Sequence, residues 1–239
     1  MMAASSLASA PAWARSTVIQ GLQVTDLSDS AFAVTFTTMS ERTAAVRYGT
    51  SPTHLTAIAL DDRDLAAGAR QPTHRSTIHR ILLSRLTYGT TYYFEPVVEG
   101  TAQASNSGRP FRQETAPLNA PLVPTRVHGT VVTATRSIPA PGTVLLIGQW
   151  INPDGSKCWP VSVLNDPPMG THAAATFDLV PTLLTASGSG SFTVSTGAVF
   201  RVVAAADDRG RLVTGSPVTA RRGIHITIVP LLRLRAPAK

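Results

Sequence analysis

The acidic stretch Asp61-Asp62-Arg63-Asp64, followed by His74 and His79, collects the side-chain types that ligate a cation. Hard-metal sites need several converging oxygens, and the Arg63 guanidinium among the three carboxylates opposes a positive ion. The stretch is therefore read as a solvated acidic turn beside two strand histidines, and no metal ligand is assigned. Cys158 is the sole thiol. A nucleophilic cysteine needs a base beside it, and no His or Asp constellation accompanies this one, so it is expected to be a small apolar residue next to Trp159. One cysteine also excludes an intrachain disulfide and, without other ligands, a structural zinc.

The six histidines, His54, His74, His79, His128, His172 and His225, are scattered over different strands and loops. The chain contains no H-E-x-x-H, H-x-H, C-x-x-C or G-x-S-x-G, and no P-loop or dinucleotide fingerprint. "SGSGSF" at 187–192 is glycine-rich, but it precedes a strand where a phosphate cradle needs a helix, and it is read as a hairpin turn. No catalytic, cofactor-binding or metal residue is assigned and no enzymatic activity is expected. The side chains suited to a ligand are Trp150 and Trp159, whose indoles could stack on the rings of a polysaccharide, and Tyr93.

Lys and Arg exceed Asp and Glu to give a formal charge of +7. The arginines are spread along the chain, with short concentrations only at Arg221-Arg222 and Arg233/Arg235, and no aromatic residues interleave with them. That excludes the basic, stacking platform a nucleic-acid partner requires. No run of 18 apolar residues is present to span a membrane as a helix.

The elements that would position these residues are strands. Charged residues make up only 15% of the 239-residue chain, and Ala, Val, Thr, Ser, Gly and Pro are abundant, which favours strands and turns over surface helices. "SAFAVTFTT" puts Phe32, Val34 and Phe36 on one face and Ala33, Thr35 and Thr37 on the other, the alternation of a strand with one buried side. "TAAVRYGTSPTHL" and "STIHRILLSRL" continue the pattern. "LTYGTTYYF", 86–94, then sets three aromatic rings on an extended chain. Tyr92 and Phe94 share the inward face, and Tyr93 points the other way.

In that stretch Leu86, Gly89, Thr90 and Tyr92 resemble the L-x-P-G-T-x-Y signature of fibronectin type III domains, with Tyr88 where the family usually has proline. The resemblance covers about residues 17–117: "VTDLSDSAFAVTFTT" is similar to strands A and B, and "AAVRYGTSP" to strand C. It implies a structural corner in which the Tyr92 hydroxyl bonds back to backbone upstream. More narrowly, "VRYGTSPTHL", a histidine-containing strand and "LTYGTTYYFEPVV" resemble the fibronectin-like N-terminal domain of purple acid phosphatases. Catalysis in that family belongs to a separate metallophosphatase domain, and no segment of this chain matches its Asp, Asn and His motifs.

"PLNAPLVP", 117–124, has three prolines in eight residues and reads as a semi-rigid linker. The expected organisation is a disordered Ala/Ser tail or truncated secretion signal at 1–16, a fibronectin type III-like domain at 17–116, the linker, a second sandwich at 125–235 and a short tail at 236–239. For the first segment, Ala12-Trp13-Ala14 has the A-x-A form of a cleavage site, whereas a basic n-region and an apolar h-region are missing. Eight short strands, "RVHGTVVTAT", "GTVLLIGQW", "WPVSVLN", "ATFDLV", "GSFTVST", "VFRVVAAADD", "GRLVTGSPVTA" and "GIHITIVPLL", predict the second sandwich. Its "V-x-G-T-V-V…P-G-T-V-L-L…G-S-F-T-V…G-S-P-V" resembles carboxypeptidase-regulatory-like and transthyretin-like domains, which implies a stalk or spacer. The fold class is thus all-β, with two immunoglobulin-like β-sandwiches in tandem.

The last strand, "GIHITIV" at 223–229, alternates Ile224, Ile226 and Ile228 against His225 and Thr227, with Pro230 only at its end. With "STVIQGLQV" near the start, it offers an edge on which another copy could add a strand. The expected function is a non-catalytic structural or adhesive protein of the cell exterior, secreted or on the cell surface. Its partners would be further copies, as in a filament, or other surface proteins. The alternative is a polysaccharide-binding accessory module of a secreted hydrolase.

Overall fold

The structure is a computed structural model, and it describes residues 18–104, 108–118, 126–132, 138–166, 175–180, 184–188, 190–207, 212–214, 218–219 and 226–233. Residues 1–17, most of the proline-rich linker and the tail from 234 lie outside the described residues.

The first unit contains β1 (Ile19–Thr25), β2 (Ala31–Arg42), β3 (Ala44–Gly49), β4 (Ala57–Leu60), α1 (Asp62–Ala66), β5 (Ser76–Ser84), β6 (Thr91–Val98), β7 (Thr101–Ala102) and β8 (Phe111–Glu114). They form two antiparallel sheets, β1-β2-β5 and β4-β3-β6, with β7 and β8 both on the free side of β6. The inward residues expected from the alternation are inward. Phe32, Val34, Phe36, Tyr92 and Phe94 join Val46, Ile81, Leu83 and Phe111 in one core, with Phe94 and Phe111 stacked at 5.5 Å. α1 was not expected, because five residues are too short for a helical period to show. It forms where the Asp61 carboxylate accepts the Arg63 N–H as an N-cap.

The second unit contains β9 (Arg126–Val132), β10 (Val144–Ile151), β11 (Val161–Leu164), β12 (Ala175–Leu179), β13 (Val199–Ala206), β14 (Leu212–Thr214), β15 (Val218–Thr219) and β16 (Ile226–Arg233). One sheet runs β11-β10-β13-β14, with β15 also on β13, and the other β12-β9-β16. Trp150, Phe177, Leu179 and Phe200 fill the space between them. Gly148 is required there, because a Cβ would meet the Phe200 ring at 2.4 Å and a Leu179 methyl at 2.8 Å. "GSFTVST" is not the expected strand. Phe192 is buried, but the stretch pairs only through an isolated Leu184–Ser191 bridge.

The sheet β1-β2-β5 departs from the expectation of one buried side, because both its faces are covered. Ala33 and Thr35 are fully buried, and Ile78, on the outer face of β5, joins Leu145, Ile147 and Ala205 of the second unit in a third apolar cluster. The two sandwiches therefore lie against each other through sheet faces. The Ala/Thr face of β2 looked like a solvent side because its residues are small and partly polar.

Candidate functional site

The polar groups that could do chemistry gather at this seam. Asp61 is buried and is held by three groups. Arg63 donates from Nε at 2.8 Å and Nη2 at 2.8 Å, and His79 places Nδ1 at 3.3 Å. Burial alone would raise the Asp61 carboxyl, but the hydrogen bonds and charges of Arg63 and His79 outweigh it and hold the group well below the usual carboxylate range. The His79 ring packs on Phe36 at 4.9 Å between centroids. Asp64, also buried, accepts from the Thr73 and His74 backbone N–H groups at 3.0 and 2.8 Å and from the Thr73 hydroxyl. The stretch is thus not the solvated turn expected from sequence. Arg63 pairs with Asp61, and among the described residues no His, Cys, Asp and Glu group is arranged to hold a metal.

The same arginine crosses the seam. Arg63 Nη1 donates to the Gly142 carbonyl of the second unit at 3.0 Å and to the Ser76 hydroxyl at 2.8 Å. Asp207 reaches back from the end of β13, accepting the Ser76 hydroxyl and the Thr77 N–H, each at 2.6 Å. A second bridge is built on Arg80, which donates to the Ser162 hydroxyl at 2.9 Å, pairs with Asp26 at 3.1 Å and contacts Asp62. Burial would lower the Arg80 guanidinium, but Asp26 and Asp62 raise it. Asp62 itself is raised, because desolvation exceeds the pull of Arg80. Asp26 accepts the Ser162 N–H at 3.0 Å and hydroxyl at 2.7 Å, and its own N–H donates to the Pro160 carbonyl at 3.0 Å. Asp26, Arg80, Ser162 and Asp207 were not singled out from sequence. The available signal was β5, where Ile78 and Leu82 alternate with Ile81 and Leu83, so that both faces are apolar, as in a sheet covered on both sides.

The expected corner residues come together. The Tyr92 hydroxyl accepts the Thr87 N–H at 3.0 Å, so the tyrosine satisfies a backbone donor. Leu86 is buried and donates its N–H to Ser30 O at 2.9 Å, Gly89 turns with φ of 55°, and the Thr90 N–H reaches the Thr115 hydroxyl at 3.0 Å.

The three candidate ligand contacts are separated. Trp150 is only 2% exposed and meets Phe200 edge-on at 5.0 Å, which makes it a core residue and not a ligand contact. Tyr93 is half-buried on the outer face of β6, opposite Arg112. Trp159 is half-buried and lines a cleft of about 470 Å³ at the seam. Gly188, with φ of 76°, lies over its ring and over Leu27 of the first unit, where a Cβ would come within 2.9 Å of a Leu27 methyl. Cys158 is fully buried, accepts the Trp150 N–H at 3.1 Å, and has its thiol pushed up to about 11 by burial.

Of the expected assembly strand, Ile224 lies outside the described residues. Ile226 and Ile228 pair in parallel with Arg126 and His128 at the edge of the sheet β12-β9-β16. Pro230 falls inside β16 and not at its end, and the register shifts between Val229 and Leu232, so the edge is interrupted.

No curated protein matches the chain in sequence. Among solved structures, the FN1–FN3 domains of chicken CNTN1 are 16% identical, over 93% of this chain and 68% of that one, with a TM-score of 0.28. The adhesin InvE of Yersinia pseudotuberculosis is 13% identical, over 84% of this chain and 60% of that one, with a TM-score of 0.27. At overlaps this low, the weight for the fold falls on the strands themselves and on the family comparison. Residues 20–113 match the family model "Purple acid Phosphatase, N-terminal domain", so the first sandwich of this chain is similar to that fibronectin-like domain.

Proposed function

We propose that the protein is a non-catalytic structural or adhesive component of the cell exterior, in which two sandwiches act as one rigid body. The observation that carries the reading is the seam. Ile78, Leu145, Ile147 and Ala205 are buried between the units, and the surrounding charges are committed to partners across it. A charge already paired with a buried neighbour is held in one geometry and is costly to release. The fixed geometry of a spacer needs that kind of locking, whereas a flexible tether does not.

Assembly into homo-oligomers or filaments is part of the proposal. β1 and β16 each have a hydrogen-bonded neighbour on one side among the described strands, which leaves an outer edge for another chain on β1 and, up to the break at Pro230, on β16. The test is light scattering and negative-stain imaging of the full-length protein across concentration, alongside phosphatase, esterase and glycosidase assays with and without divalent metal. Growing particles and blank assays are expected. Monomers at every concentration would remove the assembly, and turnover in any assay would remove the non-catalytic reading.

A further inference from the structure

The Trp159 cleft is a site that the spacer role leaves unused. It opens where β1 and β8, the edge strands of the two sheets of the first sandwich, stand apart, and Trp159 and Pro160 of the second unit close the gap. Its volume falls within the range of about 300–1,000 Å³ typical of small-molecule sites, which favour domain interfaces. The walls are apolar and aromatic: Leu22, Val24, Phe111 and the indole of Trp159.

Polar groups are placed among them in a particular state. The Trp159 Nε1–H is buried and has no hydrogen-bond partner. Gln149 and Gln113, both half-buried, commit their amide nitrogens to the carbonyls of Cys158 at 2.7 Å and Glu114 at 2.8 Å. Each therefore keeps a carbonyl-type Oε1 for an incoming donor. A purely apolar ligand would desolvate the two glutamine oxygens without satisfying them. A ligand with hydroxyls on its rim and a flat C–H face suits both features, since its hydroxyls can donate to the glutamine oxygens while its face lies on the aromatic wall.

We propose that this cleft is a saccharide site that takes a short neutral oligosaccharide, with Trp159 as the platform and Gln113 and Gln149 as hydroxyl acceptors. The site goes beyond the structural role: because β1 lines the cleft, a strand added at the β1 edge would compete with the sugar, whereas one added at β16 would not.

The test follows the indole N–H signals of the full-length protein by 15N–1H correlation NMR during titration with cellotriose, chitotriose and maltotriose to millimolar concentration. The Trp159 signal is identified by its loss in Trp159→Phe. At least one sugar is expected to move it saturably while the buried Trp150 signal stays in place. Gln113→Ala, whose Trp150 signal reports that the fold is intact, is expected to weaken that sugar about tenfold, the equivalent of one hydrogen bond. A Trp159 signal unmoved by all three sugars overturns the proposal. So does an affinity unchanged in Gln113→Ala, or a cleft that admits only an apolar dye.

Discussion

Asp26, in the turn after β1, grips Ser162 of β11 with both carboxylate oxygens, one on the backbone N–H at 3.0 Å and one on the hydroxyl at 2.7 Å. The two residues are 136 positions apart, so this clamp exists only if the sandwiches are docked. Asp26→Ala removes it and leaves Arg80 with Asp62 as its one carboxylate partner. The expected loss is about 2 kcal/mol, the range for hydrogen bonds to a charged group. Calorimetry is expected to turn one cooperative transition into two, one for each sandwich. A single transition at the wild-type temperature would show that the clamp is not holding the seam.

Tyr92→Phe keeps the ring and deletes the acceptor for the Thr87 N–H. The first sandwich is expected to lose about 1 kcal/mol, seen as a lower denaturation midpoint at unchanged slope. An unchanged midpoint would mean that water serves Thr87 equally well and that the corner is only a matter of packing.

Acid should loosen the protein through Asp61. Its pKa is lowered in the folded state by Arg63 and His79 against the effect of burial. The resulting stability is fully present above the ordinary carboxylate range, near 4, and is lost as pH falls through that range toward the folded value. Asp62 has the opposite sign: its folded pKa is raised, so protonation relieves it and partly offsets the loss. Melting temperature measured from pH 7 down to pH 3 is expected to fall in the wild type and to fall less steeply in Asp61→Asn, from a lower starting point. Parallel curves would place the acid sensitivity elsewhere.

Cys158 should behave as an inert thiol. It is fully buried, and its thiol is pushed up to about 11, so little thiolate is present at neutral pH. Disulfide-exchange reagents are expected to label it only after denaturation, and Cys158→Ala to leave any binding unchanged at a cost of about 1 kcal/mol for the small cavity. Rapid labelling of the native protein would contradict this.

Legibility in the sequence followed side-chain alternation. Phe32, Val34 and Phe36, and then Tyr92 and Phe94, announced their sheets because a period of two with large residues has one reading. The seam was hidden for the opposite reason. Ala33 and Thr35 are small enough to line a buried face or a wet one, and the charges Asp26, Arg80 and Asp207 look like surface residues until their partners, distant in sequence, are brought to them. A carboxylate cluster is usually wet, so Asp61 and Asp64 read as solvated; in the fold the arginine that argues against a metal pairs with buried Asp61, while the Thr73 and His74 N–H groups satisfy buried Asp64. Trp150 and Trp159 are alike in sequence context, and only the third dimension separates a core ring from one lining a cleft.

Small-angle X-ray scattering of the dilute protein tests the rigid two-sandwich unit most directly. The side-by-side arrangement predicts a single compact scattering profile that fits the docked structure, and predicts that Asp26→Ala shifts the profile toward a longer maximum dimension. A wild-type profile that already requires an ensemble of separated sandwiches, with no change in the variant, would contradict it.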